Sequence, residues 1–286
     1  MTTRLIATIL VVGAYVLSPL GAFAQRGQVK DIYTIDSKIL GKQVKYSVYL
    51  PASYFTDDRS YPILYLLHGA GGNHASWVED GELCRVASET IASGQSPEMI
   101  IVSPQGFMHA YVNAFDGSDK YEDFFIEELI PAVEKEFRVM SRRNKRAIAG
   151  LSMGGYGTLY HALVHKDLFG ACYAMSAATS NFTFKVEEGK KVTKEQQAYI
   201  DGHDIVKIIG NLDLTKNAYG MVNVPRIFID CGDDDFLLLS NFEVVKALRE
   251  REIPHQFRVR DGGHTWIYWR TALPMAMEFV GEMFRQ

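Results

Sequence analysis

The chain has 286 residues, 47% hydrophobic and 22% charged, with a formal net charge of −4. That length and balance suit a globular α/β domain with a substantial core. The balance is ordinary for a soluble globular protein, and so mild a charge gives no reason to expect nucleic acid or an anionic membrane as partner.

The N-terminus stands apart. Arg4 precedes the apolar stretch LIATILVVGAYVL, and Ala22-Phe23-Ala24 forms a small-x-small site. This pattern predicts a secretory signal peptide over residues 1–24, with no stable membrane insertion after cleavage. The predicted product is a single catalytic domain over 25–286 in a periplasmic or secreted setting. Cys84, Cys172 and Cys231 are an odd set, and the last two fall in strand-like runs. Buried free thiols are the expectation, not a disulfide scaffold.

Next, VKDIYTIDS and KQVKYSVYL flank Leu40-Gly41 and read as a hairpin. Apolar runs then recur at 62–69, 99–105, 146–150, 170–177, 226–232 and 255–264, with helical stretches between several of them. Continuous apolar runs suit strands covered on both faces, as in parallel sheets. In YGTLYHALVHKDLF, residues Tyr156, Leu159, Tyr160 and Leu163 mark one helical stripe. Strand–helix alternation over most of the chain predicts one wound, mostly parallel sheet with an antiparallel N-terminal edge. Residues 182–222, which include the charged EEGKKVTKEQQ, break this rhythm and read as an insertion, either a lid or a surface excursion.

The chemistry centres on RAIAGLSMGGYGTLY. A serine hydroxyl needs an adjacent base to act as a nucleophile. It also needs a sharp strand-to-helix turn to project it, and that turn crowds the backbone. Gly150 and Gly154, two residues either side of Ser152, relieve the crowding and form the G-x-S-x-G nucleophile elbow. Of eight histidines, His264 is the candidate base. It follows the last strand-like run and two glycines in RVRDGGHTWIYW, which matches the chain order nucleophile, acid, histidine. His161 and His165 have helical metal-ligand spacing but no HExxH companion, so packing or surface roles are expected for them.

The acid is expected between serine and histidine, in RIFIDCGDDDF, where spacing leaves Asp233, Asp234 and Asp235 equivalent. An oxyanion hole requires two backbone N–H groups about 3 Å from the developing charge. Met153, next after the nucleophile, supplies one. The glycine-rich loop LLHGAGGNHASW at 66–77 supplies the other.

These stretches, together with YEDFFIEELIPAVE and FIDCGDDDFLLLSN, resemble the esterase branch of the α/β-hydrolases, over nearly all of the mature chain. That branch includes feruloyl and acetyl xylan esterases of carbohydrate esterase family 1, S-formylglutathione hydrolase, siderophore esterases and mycolyltransferases. The resemblance implies an α/β-hydrolase fold, a triad of Ser152, Asp235 and His264, and oxyanion N–H groups on Ala70 and Met153. It implies no metal or organic cofactor. Export favours acyl esters of plant cell-wall carbohydrate over a cytosolic glutathione thioester. Trp77, Tyr111, Phe115 and Trp266 are candidate stacking surfaces for a sugar or cinnamoyl ring. The alternatives are a siderophore or thioester esterase, an acyltransferase on the same scaffold, and a catalytically silent binding protein.

Overall fold

A computed structural model describes residues 26–179, 191–216, 220 and 222–286. The expected signal segment therefore lies outside the described residues, as does part of the 182–222 insertion. Among the described residues, no helix is long and apolar enough to cross a membrane.

Eight strands form one sheet in the order β1-β2-β4-β3-β5-β6-β7-β8. They are β1 (Gln28–Ser37), β2 (Lys42–Leu50), β3 (Ile63–Leu67), β4 (Ile100–Pro104), β5 (Arg146–Leu151), β6 (Ala171–Met175), β7 (Arg226–Gly232) and β8 (His255–Arg260). The expected hairpin is β1 and β2, with a register irregularity between Lys30 and Tyr33. The β2–β4 pair is also antiparallel, and every later pair is parallel. This is the α/β-hydrolase arrangement, with the antiparallel edge at the N-terminus.

The helices are α1 (Ser76–Glu79), α2 (Leu83–Ala92), α3 (Tyr121–Asp123), α4 (Ile130–Glu136), α5 (Met153–Val164), α6 (Lys194–His203), α7 (Ile205–Asn211), α8 (Leu238–Glu250) and α9 (Trp266–Phe284). A π-helical stretch, Phe124–Leu129, joins α3 to α4.

Along the inner strands, successive side chains enter two different cores. Ile63, Tyr65 and Leu67 of β3 pack with α5, α7 and α8 on one face. Leu64 and Leu66 pack with α2 and α9 on the other. Both faces are covered, so these runs are continuously apolar. The outer strand β8 differs: its side chains are only partly covered, and it tolerates the polar sequence HQFRVR. Cys172 and Cys231 are buried free thiols, as expected.

The described part of the segment expected to be an insertion holds α6 and α7. Thr193 and Gln196 form a capping box at the start of α6, and the Asp204 side chain accepts from two N–H groups at the start of α7. Ile205 and Ile209 of α7 are buried, whereas α6 contributes no buried residue. The Tyr199 hydroxyl on α6 donates to the Asn113 carbonyl at 2.7 Å.

Candidate active site

Strand β5 ends at Leu151, and α5 begins at Met153. Ser152 between them has φ +54° and ψ −117°, a sparsely populated region for a residue with a side chain. The turn is held from its neighbour: the Ser152 N–H donates to the Met175 carbonyl at 2.9 Å, and the Ala178 N–H donates to the Ser152 carbonyl at 3.0 Å. The strain therefore falls on the residue whose hydroxyl must stand clear of the chain. The first N–H groups of α5 have no partner within the helix, and its positive dipole end faces the same space.

Asp235 lies in the turn after β7 and His264 in the turn after β8. The parallel sheet brings both turns to the edge that carries Ser152. The Ser152 hydroxyl donates to His264 Nε2 at 3.0 Å. His264 Nδ1 donates to Asp235 Oδ2 at 2.9 Å. The Asp235 side chain is fully buried, and its Oδ1 accepts the Leu237 N–H at 2.9 Å. Burial alone would raise its pKa, but hydrogen bonds from His264, Ser176 and Leu237 outweigh it and hold the carboxyl below its ordinary value. Asp235 is thus an ionised acceptor that fixes His264 as the Nδ1–H tautomer.

Of the three aspartates that spacing left equivalent, Asp233 and Asp234 are exposed. Asp233 accepts the Gly262 N–H at 2.9 Å, closing the turn that carries His264. The His264 ring meets Trp269 edge-on, with centroids 4.8 Å apart, and lies 4.7 Å from the Phe236 ring.

The glycine-rich loop after β3 lies directly against the elbow. A Cβ on Gly69 would stand 3.3 Å from that of Ser152. Ala70, Gly71 and Gly72 line a cavity of about 350 Å³ with Asn73, Ser152, His264 and Trp266. Glu79, Asp80 and the indoles of Trp266 and Trp269 also line it.

His68 anchors the loop, a role the sequence left open. It is buried, its Nδ1 donates to the Gly69 carbonyl at 2.7 Å, and its Nε2 accepts the Gly106 N–H at 2.8 Å. Burial pushes its pKa down to about 4, so the ring is neutral and can serve both bonds.

Three of the four expected stacking residues lie outside the cavity lining. Trp77 is wholly buried, donates from Nε1 to the Leu67 carbonyl at 3.0 Å and packs edge-on against Trp266. Tyr111 is wholly buried and donates to the His68 carbonyl at 2.9 Å. Both support the cavity from behind, because an indole or phenol with a single polar atom is satisfied by one backbone carbonyl inside the core. Phe115 is exposed and packs edge-on against Tyr199 of α6, outside the cavity lining. Trp266 does line it.

His161 is buried with its Nε2 donating to the Tyr111 carbonyl at 2.8 Å, and His165 pairs with Glu122 at 2.7 Å. These are the expected packing and surface roles. None of residues 191–216 lines the cavity.

Comparison with known proteins places the chain in a family. The chain is 32% identical over 255 residues to an endo-1,4-beta-xylanase/feruloyl esterase of Xylanibacter ruminicola, covering 86% of this chain and 30% of that longer protein. It is 25% identical over 240 residues to an acetyl esterase of Caldicellulosiruptor saccharolyticus, covering 79% of this chain and 86% of the relative. A solved ferulic acid esterase superposes with a TM-score of 0.78 at 38% identity, covering 91% of this chain and all of that one. The Putative esterase family model matches residues 37–280. The chain belongs to that family and is a carboxylic ester hydrolase.

Proposed function

We propose that this protein is an exported serine esterase that removes feruloyl or acetyl groups from plant cell-wall carbohydrate. The observation that carries the catalytic part is the continuous hydrogen-bonded chain from Ser152 through His264 to the buried, ionised Asp235, with Ser152 and His264 lining a cavity. The substrate part is supported by likeness to a ferulic acid esterase, a feruloyl esterase and an acetyl esterase. The N-terminal pattern supports export.

In this reading Ser152 Oγ attacks the ester carbonyl while His264 Nε2 takes its proton. Asp235 stabilises the resulting imidazolium and keeps the ring oriented. The Ala70 and Met153 N–H groups receive the oxyanion of the tetrahedral intermediate. His264 then protonates the departing alcohol, leaving an acyl-enzyme on Ser152. Water, deprotonated by the same imidazole, attacks the acyl carbon and releases the acid. Trp266 offers an apolar wall for a planar acyl group or a sugar ring.

The test uses the purified chain and Ser152→Ala with methyl ferulate and acetylated xylo-oligosaccharide, with the released acid identified by chromatography. Ferulate or acetate release that disappears in the variant is expected. Release that persists in Ser152→Ala would end the serine mechanism. Absence of both acids with the intact chain would end the carbohydrate assignment.

A further inference from the structure

Behind the triad lies a second buried carboxylate that the chemistry above does not use. Asp230 is on β7, five residues before Asp235, and is wholly buried. Its Oδ1 accepts the Tyr268 hydroxyl at 2.5 Å. Its Oδ2 accepts the Tyr173 hydroxyl at 2.6 Å and Arg258 Nη2 at 2.8 Å. Arg260 Nε stands 3.5 Å from Oδ1. Burying a carboxylate is costly even when it is paired, and an apolar residue on an inner strand would serve stability as well or better. The arrangement therefore calls for a reason beyond cohesion.

That reason lies in what Tyr268 carries. Tyr268 sits four residues beyond His264, in the first turn of α9, and is fixed on three sides. Its hydroxyl is held by Asp230. The Arg260 guanidinium covers its ring at 4.0 Å. Its edge packs over Gly262, where a Cβ would stand 2.8 Å from the Tyr268 ring and where φ is +131°. Gly262 belongs to the turn that delivers His264. A second tie starts from the main chain at the same position, independent of the carboxylate: the Asp230 carbonyl accepts the Ser176 N–H at 2.7 Å, and Ser176 Oγ accepts Trp269 Nε1 at 3.2 Å. Trp269 is the ring that meets His264 edge-on. The second tie ends at the imidazole itself, and the first ends at Gly262, two residues before His264 in the same turn.

We propose that Asp230 is a positioning residue for ester hydrolysis: through Tyr268 it fixes the first turn of α9, and with it the placement of His264 against Ser152. The inference rests on the triad reading above. Tyr173 supplies an internal control, because its hydroxyl reaches the same carboxylate from the interior of β6 and is not part of the turn that carries His264.

The experiment compares the intact chain with Tyr268→Phe, Tyr173→Phe and Ser152→Ala. The readouts are p-nitrophenyl acetate turnover, the rate of fluorophosphonate labelling and thermal unfolding. Each Tyr→Phe change deletes one hydroxyl and leaves the ring packing in place. Because small displacements of a catalytic group are costly, Tyr268→Phe is expected to lower kcat about tenfold with KM within about twofold, and to slow labelling by a like factor. Tyr173→Phe is expected to lower Tm comparably while leaving kcat within about twofold. Full kcat in Tyr268→Phe overturns the proposal, and so do equal kcat losses in the two variants, since either makes Asp230 a matter of cohesion alone. Turnover that survives in Ser152→Ala overturns the triad reading itself, a result separable from either of these.

Discussion

A Cβ on Gly150 would stand 2.5 Å from the carbonyl oxygen of Gly154. One on Gly154 would in turn stand 2.6 Å from the Leu67 and His68 carbonyls at the end of β3. The two glycines thus stack the elbow onto itself and then onto the strand that leads into the glycine-rich loop. The obstacles are backbone atoms, which cannot rotate away. Gly150→Ala should destabilise the fold by about 2 kcal/mol or more through overpacking. Urea unfolding would show it, and fluorophosphonate labelling of Ser152 should slow because the elbow shifts.

The three consecutive aspartates should separate cleanly in kinetics. Asp235→Asn would keep the shape but favour the wrong imidazole tautomer, and should lower kcat by roughly 10⁴-fold. Asp234→Asn, at an exposed position, should leave kcat within about twofold. Steady-state turnover of p-nitrophenyl acetate with matched thermal unfolding checks both. Equal losses at the two positions would mean that the wrong acid has been assigned.

Two buried histidines set an acid limit on stability. Burial pushes His68 and His161 down to about 4. Between that value and the unfolded value near 6.5, the unfolded chain binds more protons than the folded one, so stability rises with pH across this window. Each ring should cost up to about 1.4 kcal/mol per pH unit as the solution is taken from pH 6.5 towards 4. Urea unfolding at pH 7, 6 and 5 measures the slope, and His161→Gln should flatten it. A slope unchanged in that variant would mean that His161 is not held neutral.

The two tryptophans that pack edge-on should fail in different ways. Trp266 lines the cavity, so Trp266→Ala should raise KM for methyl ferulate several-fold, on the order of 1 kcal/mol of lost ring contact, and affect methyl acetate less. Trp77 contacts no open space. Trp77→Phe should instead cost about 1–3 kcal/mol of stability by leaving the Leu67 carbonyl unsatisfied. Michaelis parameters for the two esters alongside Tm values separate these outcomes.

Much of the candidate site is legible in the chain because its requirements are local. A nucleophile elbow must have small residues at fixed offsets, and the order Ser152, Asp235, His264 follows from a sheet whose strands end on one edge. The alternation of covered strands and helices follows from burial on two faces, which any parallel sheet imposes. Other features depend on distances between segments far apart in sequence. Spacing could not rank Asp233, Asp234 and Asp235, since only burial and the reach of His264 distinguish them. Aromatic composition could not tell Trp266, on the cavity wall, from Trp77 and Tyr111, which are used up inside by single backbone carbonyls. In the sequence, Asp230 is a polar residue in an apolar run, and Arg258 and Arg260 are charges near the end of another. Their only signal was charge placed where a wound sheet is normally dry. Local chain chemistry determines which residues can react. Tertiary packing decides which of them meet, because desolvation and hydrogen-bond reach act across space and not along the sequence.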